Sequence, residues 1–469
     1  MTGATAQSVA VMATRNSSLG RGKQHKRNNS NRRLADNQCT LKKSERRQGY
    51  CVAIGAKGDG IIQTKSGIAY APYTAPGDEG VFDIIGDRAK LVSLSKESSE
   101  REKAPCPHYG ICGGCQLQHL APEYYIRWKF NRVRDVLVGA GFSEEIIRPL
   151  ITTSRASRRR AVLAVQKSND DVVIGFNVRR SGEITPIDNC MTLHPELVAT
   201  LSVFRDIARV VPAHAFDLAV TNGNNGIDVD VRSRRMRKVD QNGLATLTRA
   251  IGKLIRNTAV IRVSMNGEPI IIFDEPIVRF GECDVALPPG GFLQASLEGE
   301  EKLAELVIEG LRKPYSNKNS PARLKYVADL FCGSGTFTLR LAHFASVYAA
   351  DSNGPSLKAL RQAVVKAANA IKPVTIEARN LDERPILAAA LNRFDAVIFD
   401  PPRSGAMAQA SELANAKTKT VIGVSCNPST FVRDARLLSQ GGYSLKYVTP
   451  VDQFVYASHV ELVGVFEKA

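Results

Sequence analysis

Nowhere in its 469 residues does the sequence hold an uninterrupted apolar run of the roughly eighteen side chains that a membrane-crossing helix requires. No compact apolar stretch with a small-residue cleavage site stands near the start, so export is not expected. There is no internal repeat. Acidic side chains are in deficit, 46 Asp and Glu against 63 Lys and Arg, for a net charge of +17. The nine cysteines, at positions 39, 51, 106, 112, 115, 190, 283, 332 and 426, are odd in number and unevenly spaced, which argues against a disulfide framework. These absences predict a cytoplasmic protein whose cysteines serve metal binding or catalysis. Its partner should be acidic, nucleic acid first, with no membrane and no obligate protein partner implied.

What is present suffices for a sizeable core: 43% of the residues are hydrophobic, over a length of about three domains. The first 50 residues hold eleven Lys and Arg and two acids, and residues 1–48 read as a disordered basic tail. Residues 49–96 contain short β-branched or aromatic runs broken by Gly-Asp, Ser-Gly and Pro-Gly, the pattern of a small β-barrel. Residues 97–290 form a central α+β region with a cysteine cluster, a helical pattern over 124–141 and two basic patches. "SRASRRRAVLAV" supplies Arg155, Arg158, Arg159 and Arg160, and "VRSRRMRK" covers 231–238. Each patch is a phosphate-binding surface or a solvated charged face. Residues 291–469 alternate helical stretches with short apolar runs, the rhythm of a parallel α/β sheet covered on both faces.

In that last region "YVADLFCGSGTFTLRLA" reads as strand, glycine turn and helix. Gly333 and Gly335 permit a tight turn and close approach to a ligand, but Thr338 stands where a dinucleotide fingerprint has its third glycine. Asp351 closes the next strand, placed to hold ribose hydroxyls. A third strand ends in Asp400-Pro401-Pro402-Arg403, where the prolines fix a rigid loop at the ligand-binding edge. This arrangement resembles a class I (Rossmann-like) S-adenosylmethionine-dependent methyltransferase.

"VSCNPSTFVRD" then gives the next apolar run a terminal thiol, Cys426, and a strand stop, Asn427-Pro428. A thiolate at that edge suits covalent catalysis on uracil. Addition to carbon 6 makes carbon 5 nucleophilic, and a base must later remove the carbon-5 proton. Arg403 is a candidate for lowering the thiol pKa. Cys332, within an apolar run, reads better as a small buried hydrophobe. For the base, Glu461 lies inside a strand-like run, a costly position for a carboxylate without a task; His459 is the alternative.

"DLFCGSGTFTL", "FDPPRSG", "VSCNPSTFVRD" and "HVEL" fall in the order found in the RNA uracil-5-methyltransferase family, which the chain resembles from about residue 50 onward. The resemblance implies Cys426 as nucleophile and Glu461 as base. It implies Gln294, Phe331, Thr336, Asp351, Asn380 and Asp400 at cofactor or target-pocket positions. Some members carry Asn at the position of Thr336, many carry Asn at that of Ser296, and Glu is more usual at that of Asp351. The barrel at 49–96 resembles the family's OB-like TRAM module. Part of 116–150 is expected to pack on the methyltransferase domain, 291–469. The target uracil must be extruded from the RNA stack. Phe292 either stacks on a base or packs in the core.

Cys106, Cys112 and Cys115, spaced C-x5-C-x2-C, and the separate Cys190 form a possible ligand set for an iron–sulfur cluster or a zinc, and His108 and His119 keep zinc in view. Ribosomal-RNA members of the family carry a four-iron cluster, [4Fe-4S], on this pattern. The resemblance therefore implies 23S ribosomal RNA as substrate. The alternatives are the same chemistry on transfer RNA, an amino-methylating enzyme that needs no Cys426, or a non-catalytic RNA-binding protein.

Overall fold

Small and branched side chains alternate through Glu45–Ile54, Gly60–Thr64, Gly67–Ala71, Glu79–Ile85 and Arg88–Lys96, and these five strands close into a barrel. Cys51, Ile62, Ala69 and Phe82 fill its interior. The computed structural model describes residues 44–168, 171–233, 240–312 and 324–468. The basic tail expected over 1–48 lies, up to Lys43, outside the described residues, as do positions 234–238 of the second basic patch.

A seven-stranded sheet follows, with strand order Glu268–Ile272, Val260–Met265, Ile227–Arg232, Ala215–Asn222, Arg160–Lys167, Val172–Asn177 and Ile184–Pro186. The amphipathic helices Leu201–Val210 and Gln241–Ile255 share its apolar core. It is a mixed sheet: the second of these helices is the crossover that joins its one parallel strand pair.

The C-terminal half holds an eight-stranded sheet. In chain order its strands are β1 (Ile151–Thr152), β2 (Tyr326–Leu330), β3 (Ser346–Asp351), β4 (Val374–Ala378), β5 (Ala396–Phe399), β6 (Thr420–Ser425), β7 (Tyr443–Asp452) and β8 (Glu461–Lys468). Their spatial order is β4-β3-β2-β5-β6-β8-β7-β1. β2 to β6 pair in parallel, so their carboxyl ends share one edge. β8 runs antiparallel to both β6 and β7. The sheet is thus mixed at this end, where the sequence rhythm predicted a parallel one.

Five helices matter to the site: α1 (Pro122–Val138), α2 (Leu297–Arg312), α3 (Thr338–Leu341), α4 (Gly354–Lys366) and α5 (Pro428–Gln440). Two apolar layers bury the sheet. Val133, Leu137 and Ile147 contribute to one layer, so α1 is core to this half although it precedes the seven-stranded sheet in sequence. Among the described residues no helix is long and apolar enough to cross a membrane.

Candidate active site

β2 is apolar but for Asp329, and the chain breaks from it sharply. Phe331, Gly333 and Gly335 all have positive φ, at 62°, 55° and 98°. Gly335 has no alternative, since a Cβ there would lie 2.5 Å from Leu360 Cδ1 and its φ disfavours any L side chain. At Gly333 a Cβ would meet nothing within 4 Å, so this face of the loop borders open space. Phe331 holds an uncommon backbone conformation for a bulky residue, tied by its N–H to Ala350 O at 2.8 Å. Asp351, at the end of β3, accepts from the Gly333 N–H at 2.9 Å and the Asn353 N–H at 2.7 Å. Each carboxylate oxygen keeps a further lone pair. Asn380 caps the turn after β4 by accepting from Asp382 N–H at 3.1 Å, which leaves its amide N–H₂ to donate. Thr336 lies in the same loop, its carbonyl held by Arg340 at 2.7 Å. Cys332 is buried in the apolar cluster beneath.

Asp400 leaves β5 at the same edge. The Asp-Pro-Pro-Arg loop is pinned from α5: Asn427 Nδ2 and Thr430 Oγ1 donate to Arg403 O at 3.2 and 3.4 Å, and Asp434 accepts from Ala406 N–H at 2.7 Å. Asn427 also caps α5, accepting from Ser429 N–H at 3.2 Å. A polar residue right after the thiol therefore ends the strand, starts the helix and anchors the neighbouring loop at once. Cys426 itself is half-buried in the gap between.

Glu461, the first residue of β8, is 5% exposed. Burial pushes its carboxyl up to about 7, against the opposing pull of the Gln453 amide, Arg403 and Lys129. Burial, with the charge of Glu461 added, pushes Asp400 up to about 8. Cys426 is pushed up to about 11, first by burial and then by Glu461 and Asp400, while Arg403 acts in the other direction. The free thiol is therefore predominantly protonated at neutral pH, and Arg403 alone does not reverse this. His459 commits its Nδ1 to Arg403 Nη2 at 3.2 Å, and burial lowers it to about 4.

Gln294 is buried beside these groups; its Nε2 faces Asp400 Oδ2 at 3.4 Å and its Oε1 accepts from Gln453 Nε2 at 2.8 Å. The strand carrying Arg160 fixes that segment. Arg159 N–H donates to Ala295 O at 2.9 Å, and its guanidinium pairs with Glu300 of α2. Arg159 is thus an internal brace, which fits neither alternative that the sequence left open for its patch, a phosphate-binding surface or a solvated charged face: its partner is a buried carboxylate. Arg160 lies over the ring of Phe292, 4.4 Å from its centroid, and that ring is 62% exposed, so Phe292 is not core. Arg155 lies over Tyr456, and Arg158 turns to the cysteine cavity.

That cavity, of about 500 Å³, is lined by Cys106, Cys112, Cys115 and Cys190, and Cys426 and Arg403 also line it. Burial raises Cys115 to about 12 and also raises Cys112, with the neighbouring thiols adding in each case. His108 borders the cavity. His119 is not among the residues lining it, and its two ring nitrogens are engaged by Tyr109 OH at 2.5 Å and Thr74 O at 3.0 Å. Among the described residues no three His, Cys, Asp or Glu side chains are gathered closely enough to hold a single metal ion.

Two groups escaped the sequence reading. Asp329 is fully buried in β2, with Oδ2 bonded to Thr338 Oγ1 at 2.5 Å and Oδ1 lacking a partner. The rule that singled out Glu461, an acid inside an apolar run, applies to Asp329 equally. Gln453 carries no such signal, because its partners lie far away in sequence.

A profile of the tRNA (uracil-5-)-methyltransferase family matches residues 320–469. An uncharacterized RNA methyltransferase from Caulobacter vibrioides is 40% identical over 89% of this chain and 98% of its own length. A 23S rRNA (uracil(1939)-C(5))-methyltransferase from Shewanella denitrificans is 28% identical over 88% of this chain and 94% of its own. The Pyrococcus abyssi tRNA (uracil-54, C5)-methyltransferase, solved with S-adenosyl-L-homocysteine, superposes with a TM-score of 0.66 at 23% identity, over 89% of this chain and 99% of that one, and shares its fold.

Proposed function

The chain belongs to the RNA uracil-5-methyltransferase family, an S-adenosylmethionine-dependent enzyme family, and on that premise we propose that it methylates carbon 5 of a uridine in 23S ribosomal RNA through a covalent Cys426 adduct. The observation that carries this reading is the meeting of Cys426, Asp400 and Glu461, with Arg403, at one sheet edge. S-adenosylmethionine, when bound, supplies an electrophilic methyl group. The loop from Phe331 to Thr336, with Asp351, Asn380, Gln294 and Asp400, would hold it. This fits the open face of Gly333 and the unpartnered buried oxygens of Asp329 and Ser334, which suit a donor-rich ligand.

The chain's own residues divide the work. The Cys426 thiolate adds to carbon 6, forming the Sγ–C6 bond and moving the ring's π pair onto the enolate. Carbon 5 then takes the methyl group. Glu461 accepts the carbon-5 proton; the freed C–H pair restores the C5–C6 double bond and breaks the Sγ–C6 bond. A carboxyl held near 7 is poised for that transfer, whereas His459, lowered to about 4 and engaged by Arg403, is the weaker base. Exposed Phe292 under Arg160 offers a stacking platform for a base next to the extruded one.

The four cysteines line one cavity rather than a single point, which suits a [4Fe-4S] cluster, structural or RNA-positioning, better than the alternative of a single zinc ion, for which no three of the described ligands gather closely enough. Iron and acid-labile sulfide, or zinc, measured in the purified protein decides between them. The choice of ribosomal RNA is supported by the Shewanella relative and by this cysteine set. Methyl transfer from labelled S-adenosylmethionine to total RNA of a strain lacking the gene, mapped by mass spectrometry, tests the whole reading. Label as 5-methyluridine in 23S RNA is expected. Label in transfer RNA keeps the chemistry and overturns the substrate, and label in neither overturns both.

A further inference from the structure

Between Asp400 and Glu461 runs a buried chain of polar groups. Gln453, 3% exposed, follows β7 directly. Its Oε1 accepts from the Ala295 N–H at 3.2 Å, and its Nε2 donates to Gln294 Oε1 at 2.8 Å. Its amide also lies beside Glu461, which pairs across the sheet with Val451, two residues before Gln453, and it favours the ionised carboxylate. Gln294 continues the chain to Asp400. The acceptor bond to Ala295 fixes which end of the Gln453 amide is nitrogen, so its N–H₂ group is the end that meets Gln294. Backbone on both sides is fixed: Asp452 is clamped by Lys129 at 2.8 Å, and its carbonyl accepts from Thr153 Oγ1 at 2.8 Å. Gly299 of α2 leaves the space, since a Cβ there would stand 2.6 Å from Gln453 Cβ. A side chain with all its polar atoms engaged and no freedom to turn is a fixture.

We propose that Gln453 is a positioning residue that sets two catalytic groups with one amide: it orients Gln294 toward the cofactor side and holds the Glu461 carboxylate in the ionised form that takes the carbon-5 proton. The inference rests on the uracil-methylation reading. A hydrogen bond donated to a carboxylate favours its charged form, so losing it raises the pH at which Glu461 becomes a base. The other charged or titratable groups facing Glu461 are Asp400 after β5, Cys426 after β6, Arg403 in the proline loop and Lys129 of α1. All of these stay in place when Gln453 changes.

The test uses the full-length protein, S-adenosylmethionine and its methyl-accepting RNA. Gln453→Met keeps the shape and removes both donors; Gln453→Glu keeps the shape and turns a donor into an acceptor beside Glu461. Expected for both is a covalent protein–RNA species that accumulates with ordinary RNA on denaturing gels. Release should slow about ten- to a hundredfold, the usual worth of a hydrogen bond to a charged group, with its pH midpoint displaced upward. Affinity for S-adenosylmethionine should fall too, as Gln294 loses its orientation. Adduct formation with 5-fluorouracil RNA should persist, since it needs no base. Variants that release product with the wild-type pH midpoint and without accumulated adduct overturn the inference, whatever their overall rate. If the methionine variant does not fold, the glutamate variant gives the same readouts. A wild-type protein that forms neither 5-methyluridine nor the fluorouracil adduct overturns the uracil reading and this inference together.

Discussion

Asp329, Asp400 and Glu461 are carboxyls that burial pushes up to about 7, 8 and 7 respectively. Each binds a proton more tightly folded than unfolded. Their contribution to stability is therefore fully present below the ordinary carboxylate range, near 4, and is lost as pH rises through 7 to 8. The melting temperature of the ligand-free protein should fall between about pH 4 and 8, and scanning calorimetry in matched buffers checks this. A flat profile would mean that the carboxyls are better solvated than the fold implies. Catalysis runs the opposite way, because Glu461 must be ionised: product release should rise with pH through about 7. Glu461→Gln should trap methylated RNA on Cys426 and slow turnover by roughly 10²- to 10⁴-fold, the span of general-base catalysis. The thiol, held near 11, is drawn down by the charge of Arg403 and by a backbone hydrogen bond. Arg403→Gln should slow adduct formation on 5-fluorouracil RNA more than it slows release, a split that rapid-quench gels resolve.

The element that presents the base is a loop, Gln453–Val460, held from several sides. Lys129, wholly buried on α1, pairs with Asp452 at 2.8 Å and donates to Phe454 O at 3.3 Å and to His459 O. Tyr125 OH donates to Asp452 and accepts from the Tyr456 N–H at 3.0 Å. From the cysteine segment, the N–H groups of Gln116 and Leu117 donate to Tyr456 O at 2.9 and 3.1 Å. Lys129→Met removes one half of the buried pair and should cost about 3–5 kcal/mol. Adding Asp452→Asn should recover part of it, as denaturant titration of the two variants would show. Recovery of nothing would mean that the carbonyl contacts, rather than the ion pair, carry the stability. Sequence patterning reached the strand ends because a polar residue closing an apolar run is a local signal: Asp351, Asp400 and Cys426 were found that way, and Glu461 as an acid inside an apolar run. It missed Gln453 and did not foresee the buried role of Arg159 because their partners lie 159 and 141 positions away. Nothing local distinguishes a buried arginine brace from a phosphate anchor.

In the whole molecule, the catalytic half does not close on itself. Val133, Leu137 and Ile147 lie in the same apolar cluster as Phe399 and Phe431, and β1 extends the sheet beyond β7. A fragment spanning only 291–469 lacks those pieces. It should aggregate or melt well below the full-length protein, whereas a fragment that begins before α1 should hold the sheet. Soluble, cooperatively melting 291–469 would refute this. The barrel was legible from its turn dipeptides, and the α/β rhythm from its spaced apolar runs. The mixed end of the sheet was not, because an apolar run does not declare its direction.

β8 follows β6 and β7 in the chain yet sits between them. Those two strands cannot zip together first; they must keep a vacancy one strand wide until β8 threads into it, and an unpaired edge is the sticky part of any sheet. The proposed nucleophile, Cys426, directly follows β6 and the proposed base, Glu461, begins β8. A half-folded molecule therefore owns a thiol with no proton acceptor beside it, and the same insertion that seals the sheet arms the chemistry.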